Sequence, residues 1–560
     1  MKSIKMVWHI FKKDVRLLWP FVLGAAGIQF AHAAVRYALD QAGAAEAQTL
    51  SMLLQVLTPV SQLAAAFLIA TAVHQDAVPG VRQDWLVRPV RRKDLLFAKV
   101  LFLLVMVHGP ILLADMFEAM AHGFPLGQAL ASAITRSLLL LGFLTLPALA
   151  FASLTRNMTE ALIGGVILFF IISSAFQLIV RSGHQSPLLQ TGLGWMGGLS
   201  VASLLFLGAA VIFTMQYFRR KTTFSRWLGA GVVCLGFLTY NLLWQWQVAF
   251  ALQERLSPAP GAGRSILAVY APTLGKFWLP EGVNRNNVTK TNAGTRYEAS
   301  TVYVPVHLTG LPDDGVLNAD RSQVRLLALD GKLLYQGPGD NLLVRKQGHQ
   351  GPIFFTIGSF GFVRGIKTND LSVPQDGEAW IYHGIPLPRD LYPHLRNQPL
   401  RLEIDYSFTL LQGGTSYIPA LDGKQVLPGL GRCTTKMDDD GDDIDFHCMK
   451  TLPPPSCASL FLEHVPSGRR NPAVFGCQPD YAPFLDQLVP DGIARFGVGL
   501  RFHDLYGLAK FPVEAGDLPQ SRVVVRAYQP QEHFTRQLVI PQIRLSDWES
   551  VEHTQLAQNH

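Results

Sequence analysis

Residues 137–155 read Ser137-Leu138-Leu139-Leu140-Leu141-Gly142-Phe143-Leu144-Thr145-Leu146-Pro147-Ala148-Leu149-Ala150-Phe151-Ala152-Ser153-Leu154-Thr155, without one Asp, Glu, Lys or Arg. About 20 apolar residues in a helix match the hydrocarbon core of a bilayer, so this stretch predicts a membrane span. Six further stretches of the same kind lie within the first 250 residues, and none in the 310 that follow. The predicted spans are 17–39, 49–73, 96–119, 131–154, 160–180, 194–218 and 227–250. The expected fold is therefore a polytopic α-helical membrane domain of about seven spans followed by a region of another kind.

The basic residues give these spans a direction. Lys2, Lys5, Lys12, Lys13 and Arg16 precede the first; Arg82, Arg88, Arg91, Arg92, Lys93 and Lys99 surround the entry to the third. Arg156 precedes the fifth, and Arg219, Arg220, Lys221 and Arg226 lie between the sixth and seventh, whereas the alternate connections hold only Arg36, Arg136 and Arg181. Loops rich in Lys and Arg stay in the cytoplasm, so the amino terminus is expected inside and, after an odd number of spans, the carboxyl-terminal region outside.

Composition divides at the same place. Up to residue 250 there are 19 Lys plus Arg against 9 Asp plus Glu; the remainder has 29 against 32. The formal charge of +7 is thus concentrated beside the membrane and gives no reason to expect nucleic acid as a partner. Of the 35 prolines, 27 follow residue 250, which argues against a mainly helical tail.

Four of the five cysteines, Cys433, Cys448, Cys457 and Cys477, cluster in the segment expected outside. An even set in an oxidising compartment predicts two disulfides with three pairings open. No Cys-x-x-Cys pair accompanies them, which disfavours a metal site.

At the amino terminus Ile4, Val7, Trp8, Phe11, Val15 and Leu18 share a helical face, so residues 1–16 are expected to form an interfacial helix before the membrane domain of 17–250. The loop before the third span is the most specific local pattern. From Asp84 it runs Trp85-Leu86-Val87-Arg88-Pro89-Val90-Arg91-Arg92-Lys93-Asp94-Leu95-Leu96-Phe97-Ala98-Lys99, with Pro89 favouring a break and Asp94 suited to capping a helix.

With this loop, the amino-terminal helix and the order of spans, residues 1–220 resemble the permease subunits of type-2 ABC transporters, the export-type family with six-span membrane domains. The resemblance implies that Arg82, Asp84, Trp85, Arg88, Pro89, Arg91, Arg92, Lys93 and Asp94 form a coupling segment that docks on a separate ABC ATPase. It also implies a second permease copy or a related permease, a bacterial inner (cytoplasmic) membrane, and ATP with magnesium held by the partner. No cofactor is expected in this chain, which has no phosphate-binding Gly-x-x-x-x-Gly-Lys-[Ser/Thr] loop. The seventh span and the large outer region depart from the six-span pattern.

Few charges fall inside the spans. Asp115 and Glu118 share a face near the outer end of the third, and Arg136 lies at similar depth in the fourth, which predicts an ion pair ordering the bundle. His108, followed by Gly109-Pro110, marks a kink or polar cavity, with a hydrogen-bonded structural histidine as the plainer reading. His32 and Arg36 are expected to snorkel to the outer interface.

Beyond residue 250 the pattern changes period. Leu402, Ile404, Tyr406, Phe408 and Leu410 alternate with polar residues, Phe496 to Phe502 repeats this, and Asp330-Gly331 marks a hairpin. Strands are predicted at Thr301–Leu308, Val324–Leu329, Ser456–Leu462, Arg522–Tyr528 and Gln537–Leu545, making two sandwich-like units, 251–413 and 414–560, divided near 411–416. The acidic run from Asp438 to Asp445 reads as a solvated turn; an irregular cation site is the other reading, but no metal site is assigned. No hydrolase or metalloprotease motif is present, and the chain is not expected to be an enzyme. The rival to a permease is a membrane-anchored receptor or assembly factor.

Overall fold

The computed structural model describes residues 3–75, 91–167, 194–274, 278–279, 299–339, 342–345, 355–356, 379–451, 457–476, 492–502 and 511–552, apart from 43, 156, 166, 220, 240–245, 313–314, 389, 439–440, 472–473 and 549–550. Helices fill the first part: α1 (Ser3–Gln41), α2 (Ala44–His74), α3 (Arg92–Phe102), α4 (His108–Ala121), α5 (Leu126–Leu140), α6 (Leu146–Leu154), α7 (Gly194–Arg219), α8 (Thr222–Leu238) and α9 (Trp246–Arg255). Two π-helical segments, Leu103–Val107 and Leu141–Thr145, join α3 to α4 and α5 to α6.

Four helical stretches are long and apolar enough to cross a membrane: Ile4–Gln41, Glu46–His74, Lys93–Ala121 and Leu126–Leu154. They coincide with the first four predicted spans. Ser203–Gln216 and Thr222–Leu238 are shorter apolar helices in the regions predicted for the sixth and seventh. Most of the fifth, 160–180, lies outside the described residues.

The bundle is built from small contact surfaces and wide apolar exteriors. Leu18, Leu68, Ile69, Phe102, Leu149 and Phe213 form its buried centre, while Leu63 and Leu138 stay 65% and 62% exposed. An exterior of large apolar side chains suits hydrocarbon rather than water. The expected interfacial segment and first span are one continuous helix, α1, because Ile10, Phe11 and Asp14 are buried against the bundle instead of lying along a surface.

The rest is mostly β. Strands β1 (Leu267–Tyr270), β2 (Trp278–Leu279), β3 (Ala299–Thr309), β4 (Gly315–Ala328), β5 (Leu333–Pro338), β6 (Leu342–Arg345), β7 (Phe355–Thr356), β8 (Ala379–Pro388) and β9 (Leu400–Gln412) come first. Then follow β10 (Thr415–Pro419), β11 (Lys424–Leu427), β12 (Gly431–Met437), β13 (Asp443–Thr451), β14 (Cys457–His464), β15 (Val474–Gly476), β16 (Ile493–Arg501), β17 (Ser521–Ile543) and β18 (Val551–Glu552). A sheet β1-β3-β8 and the strands β4 and β9 enclose one core, in which Val302, Val304, Val306, Ile385 and Leu387 meet Val324, Leu326, Leu402, Ile404 and Phe408. A second core lies between β11-β12-β13-β16 and the strands β10, β14 and β17, where Ile444, Phe446 and Leu500 meet Leu460, Leu462, Val523 and Val525.

The strands expected at Arg522–Tyr528 and Gln537–Leu545 are one element. β17 pairs with β10 and β14 through its first half and with β9 through its second, and the ladder shifts register between Pro530 and Glu532. A bulge tolerates the proline, which has no N–H for the ladder, so the strand continues past it. The expected division near 411–416 falls between β9 and β10, yet Phe534, Leu538, Ile540, Leu545 and Trp548 return to the first core. Gly413 makes the corner: a Cβ there would collide with the carbonyl of Ala527. Asp330-Gly331 turns β4 into β5 with Gly331 at φ +87°.

Candidate functional site

The helix that follows the basic loop is anchored at both ends, and the anchors are buried charges. Arg82, Asp84, Trp85, Arg88 and Pro89 lie outside the described residues. Arg91, in extended conformation, is the cap residue of α3; Lys93 is exposed, and Asp94 is buried in the first turn. The cap position is thus Arg91 rather than Asp94, whose carboxylate instead complements the positive end of the helix.

Two turns further on, Lys99 Nζ donates to Asp14 Oδ2 at 2.8 Å and to the carbonyl of Ala72 at 2.7 Å, with both side chains of the ion pair essentially inaccessible. Lys99 thereby satisfies an orphan carbonyl near the end of α2 and ties α1, α2 and α3 together. Removing one partner of such a pair leaves an uncompensated buried charge, at a cost of about 3–5 kcal/mol. Sequence reading counted Lys99 among the loop cations; the signal for its partner was that Asp14 is the only acidic residue among the first sixteen.

Midway along the bundle, His108 Nε2 and Thr145 Oγ1 are 3.0 Å apart. The pair joins the ends of the two π-helical segments, so the level at which both helices are underwound is also where they share a buried polar contact.

The outer end holds a larger network. Asp115 and Glu118 on α4 both meet Arg36 of α1, at 3.2 Å for Asp115, and Arg136 of α5 reaches Asp115 across the α4–α5 turn. Arg36, only 3% exposed, is therefore a buried partner and does not snorkel to the interface. His32 is likewise buried, with Nε2 3.1 Å from Thr58 Oγ1. What sequence reading could not supply is Arg495, from β16 of the β region: it donates to Glu118 Oε1 at 2.9 Å and to both oxygens of Asp40 at 2.8 and 2.9 Å. Burial opposes charge on Arg495, but the hydrogen bond and charge of Asp40, together with the charge of Glu118, outweigh it and hold the guanidinium's pKa above its ordinary value. His122 Nε2 stands 3.1 Å from Asp40 on the other side.

Around this network the β region is seated on the helix ends. Ser132 donates to the carbonyl of Gly492, Arg432 donates to the carbonyl of Gly123, and the Arg432 guanidinium lies 6.0 Å over the Phe124 ring. Ala119, Phe124, Ala129 and Ile493 close an apolar patch beside them. These contacts sit at the end of α1 opposite the Asp14–Lys99 pair.

A second junction binds the chain after α9 to β17. The His533 amide donates to Ser257 Oγ at 2.9 Å, the Glu532 carboxylate accepts from the amides of Gly261 and Gly263, and Arg536 donates to the carbonyls of Gly263 and Ile266 at 2.8 Å. Behind it, Thr409 donates to Asp320 and accepts from His533 Nδ1 at 2.7 Å; burial pushes the His533 pKa down to about 4.

Cys433 and Cys448 form a disulfide between directly opposed positions of β12 and β13. Cys477 lies outside the described residues. Among the described residues no three His, Cys, Asp or Glu side chains converge as a metal site, and Asp439 and Asp440 of the acidic run are not among them.

No protein-family model, no curated protein and no solved structure matches the chain.

Proposed function

We propose that this chain is the membrane-spanning permease subunit of an ATP-driven ABC exporter, coupled through its basic loop to a separate ATPase subunit. The observation that carries the reading is one helical rod, Lys93–Ala121, with the cationic segment at its start and the Glu118–Arg495 contact near its end. Force applied to the loop travels along this rod to the outer β region, because Lys99 fixes its base and Arg36, Arg136 and Arg495 fix its tip.

On this reading seven spans place the amino terminus in the cytoplasm and two sandwich-like β units in the periplasm of a bacterium. ATP and magnesium act on the partner, whose closure moves two membrane domains between inward and outward openings. The neighbouring π-helical segments and the His108–Thr145 pair provide the level at which the rod bends.

A membrane-anchored receptor or assembly factor is the second reading, favoured by the size of the β region and its own two cores. Co-purification separates the two. Arg88→Glu, Arg91→Glu, Arg92→Glu and Lys93→Glu together are expected to abolish association with an ATPase and export; unchanged association and export after this replacement would favour the anchor.

A further inference from the structure

One exposed side of α2 carries an amide stripe that finds no partner among the described residues. Gln48, Met52, Gln55, Pro59, Gln62 and Ala66 succeed one another in steps of four, three, four, three and four residues. This is the seam of a left-handed helix pair, with glutamine at every second position. The buried face of the same helix, Ser61, Ala65, Leu68, Ile69 and Ala72, points elsewhere, into the bundle. Gln48, Gln55 and Pro59 are exposed and Gln62 is half-buried.

Gln55 and Gln62 fall well inside the apolar helix Glu46–His74. Each carries donors and an acceptor, and neither amide has a hydrogen-bond partner among the described residues. Pro59 adds a third demand: it has no N–H to give, so the carbonyl of Gln55, four residues earlier, loses its helical donor on the same face. Hydrocarbon supplies no water to satisfy these groups. Leu63 and Val56, 65% and 60% exposed, show that the surrounding face is built for an apolar environment, so the amides are the exception that needs a partner.

We infer that α2 packs against α2 of a second copy of this chain, about a two-fold axis along the membrane normal, with Gln55 and Gln62 hydrogen-bonding across the axis. The occupant follows from the chemistry. A primary amide is both donor and acceptor, and in a parallel pair each seam position meets its own copy, so a glutamine stripe is complementary to itself. Polar side chains join membrane helices in this way where small or amide residues line the seam. The inference deepens the permease reading by naming the surface shared by two membrane domains, and it depends on that reading only in requiring that α2 lie in a bilayer.

Oxidative cross-linking in membranes tests it, on the full chain with Cys234→Ala removing the one free thiol among the described residues. Met52→Cys, 58% exposed on the seam, is expected to give a covalent homodimer, and Leu104→Cys, 49% exposed on another helix, is expected to give none. Adding Gln55→Leu and Gln62→Leu, which keep the helix apolar, is expected to lower the Met52→Cys cross-link about threefold to thirtyfold. No cross-link at Met52→Cys, equal cross-linking at Leu104→Cys, capture of a different protein, or an unchanged yield in the double leucine variant would each overturn it. The outcome is separable from the permease reading. A homodimer through α2 that ignores charge reversal in the basic loop, with no ATPase bound, keeps this inference and removes transport; loop-dependent ATPase binding without the cross-link does the reverse.

Discussion

The guanidinium of Arg495, on a strand of the β region, lies 2.9 Å from the carboxylate of Glu118, 377 residues earlier on a membrane helix. Neither residue is an accessory to the other's domain. Arg495 is the cation that the Asp40 and Glu118 carboxylates face from the β side, as Arg36 and Arg136 face Asp115 and Glu118 from within the bundle. The β region is therefore held by the membrane domain's own charges and is not a tethered appendage.

Arg495→Met leaves Asp40 and Glu118 short of a buried partner and is expected to weaken the junction by about 3–5 kcal/mol. Hydrogen exchange at 492–496 and 118–124 should rise. Adding Asp40→Asn should recover part of the loss, since a buried pair removed together costs less than one partner removed alone, and Glu118 keeps Arg36.

The same logic applies at the inner end. Lys99→Met is expected to lower the stability of the bundle by about 3–5 kcal/mol, and Lys99→Met with Asp14→Leu by much less. Thermal unfolding of the detergent-solubilised protein, with Asp14→Leu alone as the fourth corner, reads the difference; a double-variant loss equal to the sum of the two single losses would mean the pair is not coupled.

Two disulfides are expected per chain. Cys433–Cys448 takes one of three possible pairings, leaving Cys457 with Cys477. β14 and β15 place Ala458 opposite Gly476, and Cys457 and Cys477 are the next residues in the sequence on either strand. Peptide mapping without reductant should recover both links, and each is worth about 3 kcal/mol through loop closure.

His383 on β8 is fully buried beside the Tyr406 ring, and burial pushes its pKa down from 6.5 to about 3. Above pH 6.5 the imidazole is neutral whether the chain is folded or unfolded, and stability does not depend on it. Below pH 6.5 the unfolded chain binds a proton that the folded one refuses, so stability falls by about 1.4 kcal/mol per unit until pH about 3. His533, depressed to about 4 by burial, acts in the same direction. Near-ultraviolet circular dichroism of the full chain between pH 7 and 4 should show this loss, and His383→Phe should make it shallower.

Unbroken apolar runs were enough to place the first four membrane helices, and period-two alternation and one hairpin signal placed β3, β4, β5, β9, β14, β16 and β17, because both signals are local. The charged pairs were legible only where a short turn joined the partners, as with Asp115 and Arg136. Arg36 reads as an interfacial cation until α1 and α4 are seen side by side, and Arg495 reads as an ordinary strand residue until β16 is seen against α4. Two strands were read where β17 is one, since Pro530 breaks the alternation without breaking the ladder. The Gln48, Gln55 and Gln62 spacing was present in the chain from the start. It acquired meaning only when the fold showed which face of α2 the bundle leaves outside.

That the basic loop and the β region lie on opposite sides of a membrane is the claim on which transport depends. Labelling of single cysteines with a membrane-impermeant maleimide in spheroplasts addresses it most directly, using Lys93→Cys at the start of α3, directly after the loop, and Val426→Cys, at a position 68% exposed on β11. Val426→Cys is expected to react at once and Lys93→Cys only after the membrane is permeabilised. Prompt reaction of Lys93→Cys, or protection of Val426→Cys until permeabilisation, would contradict the account.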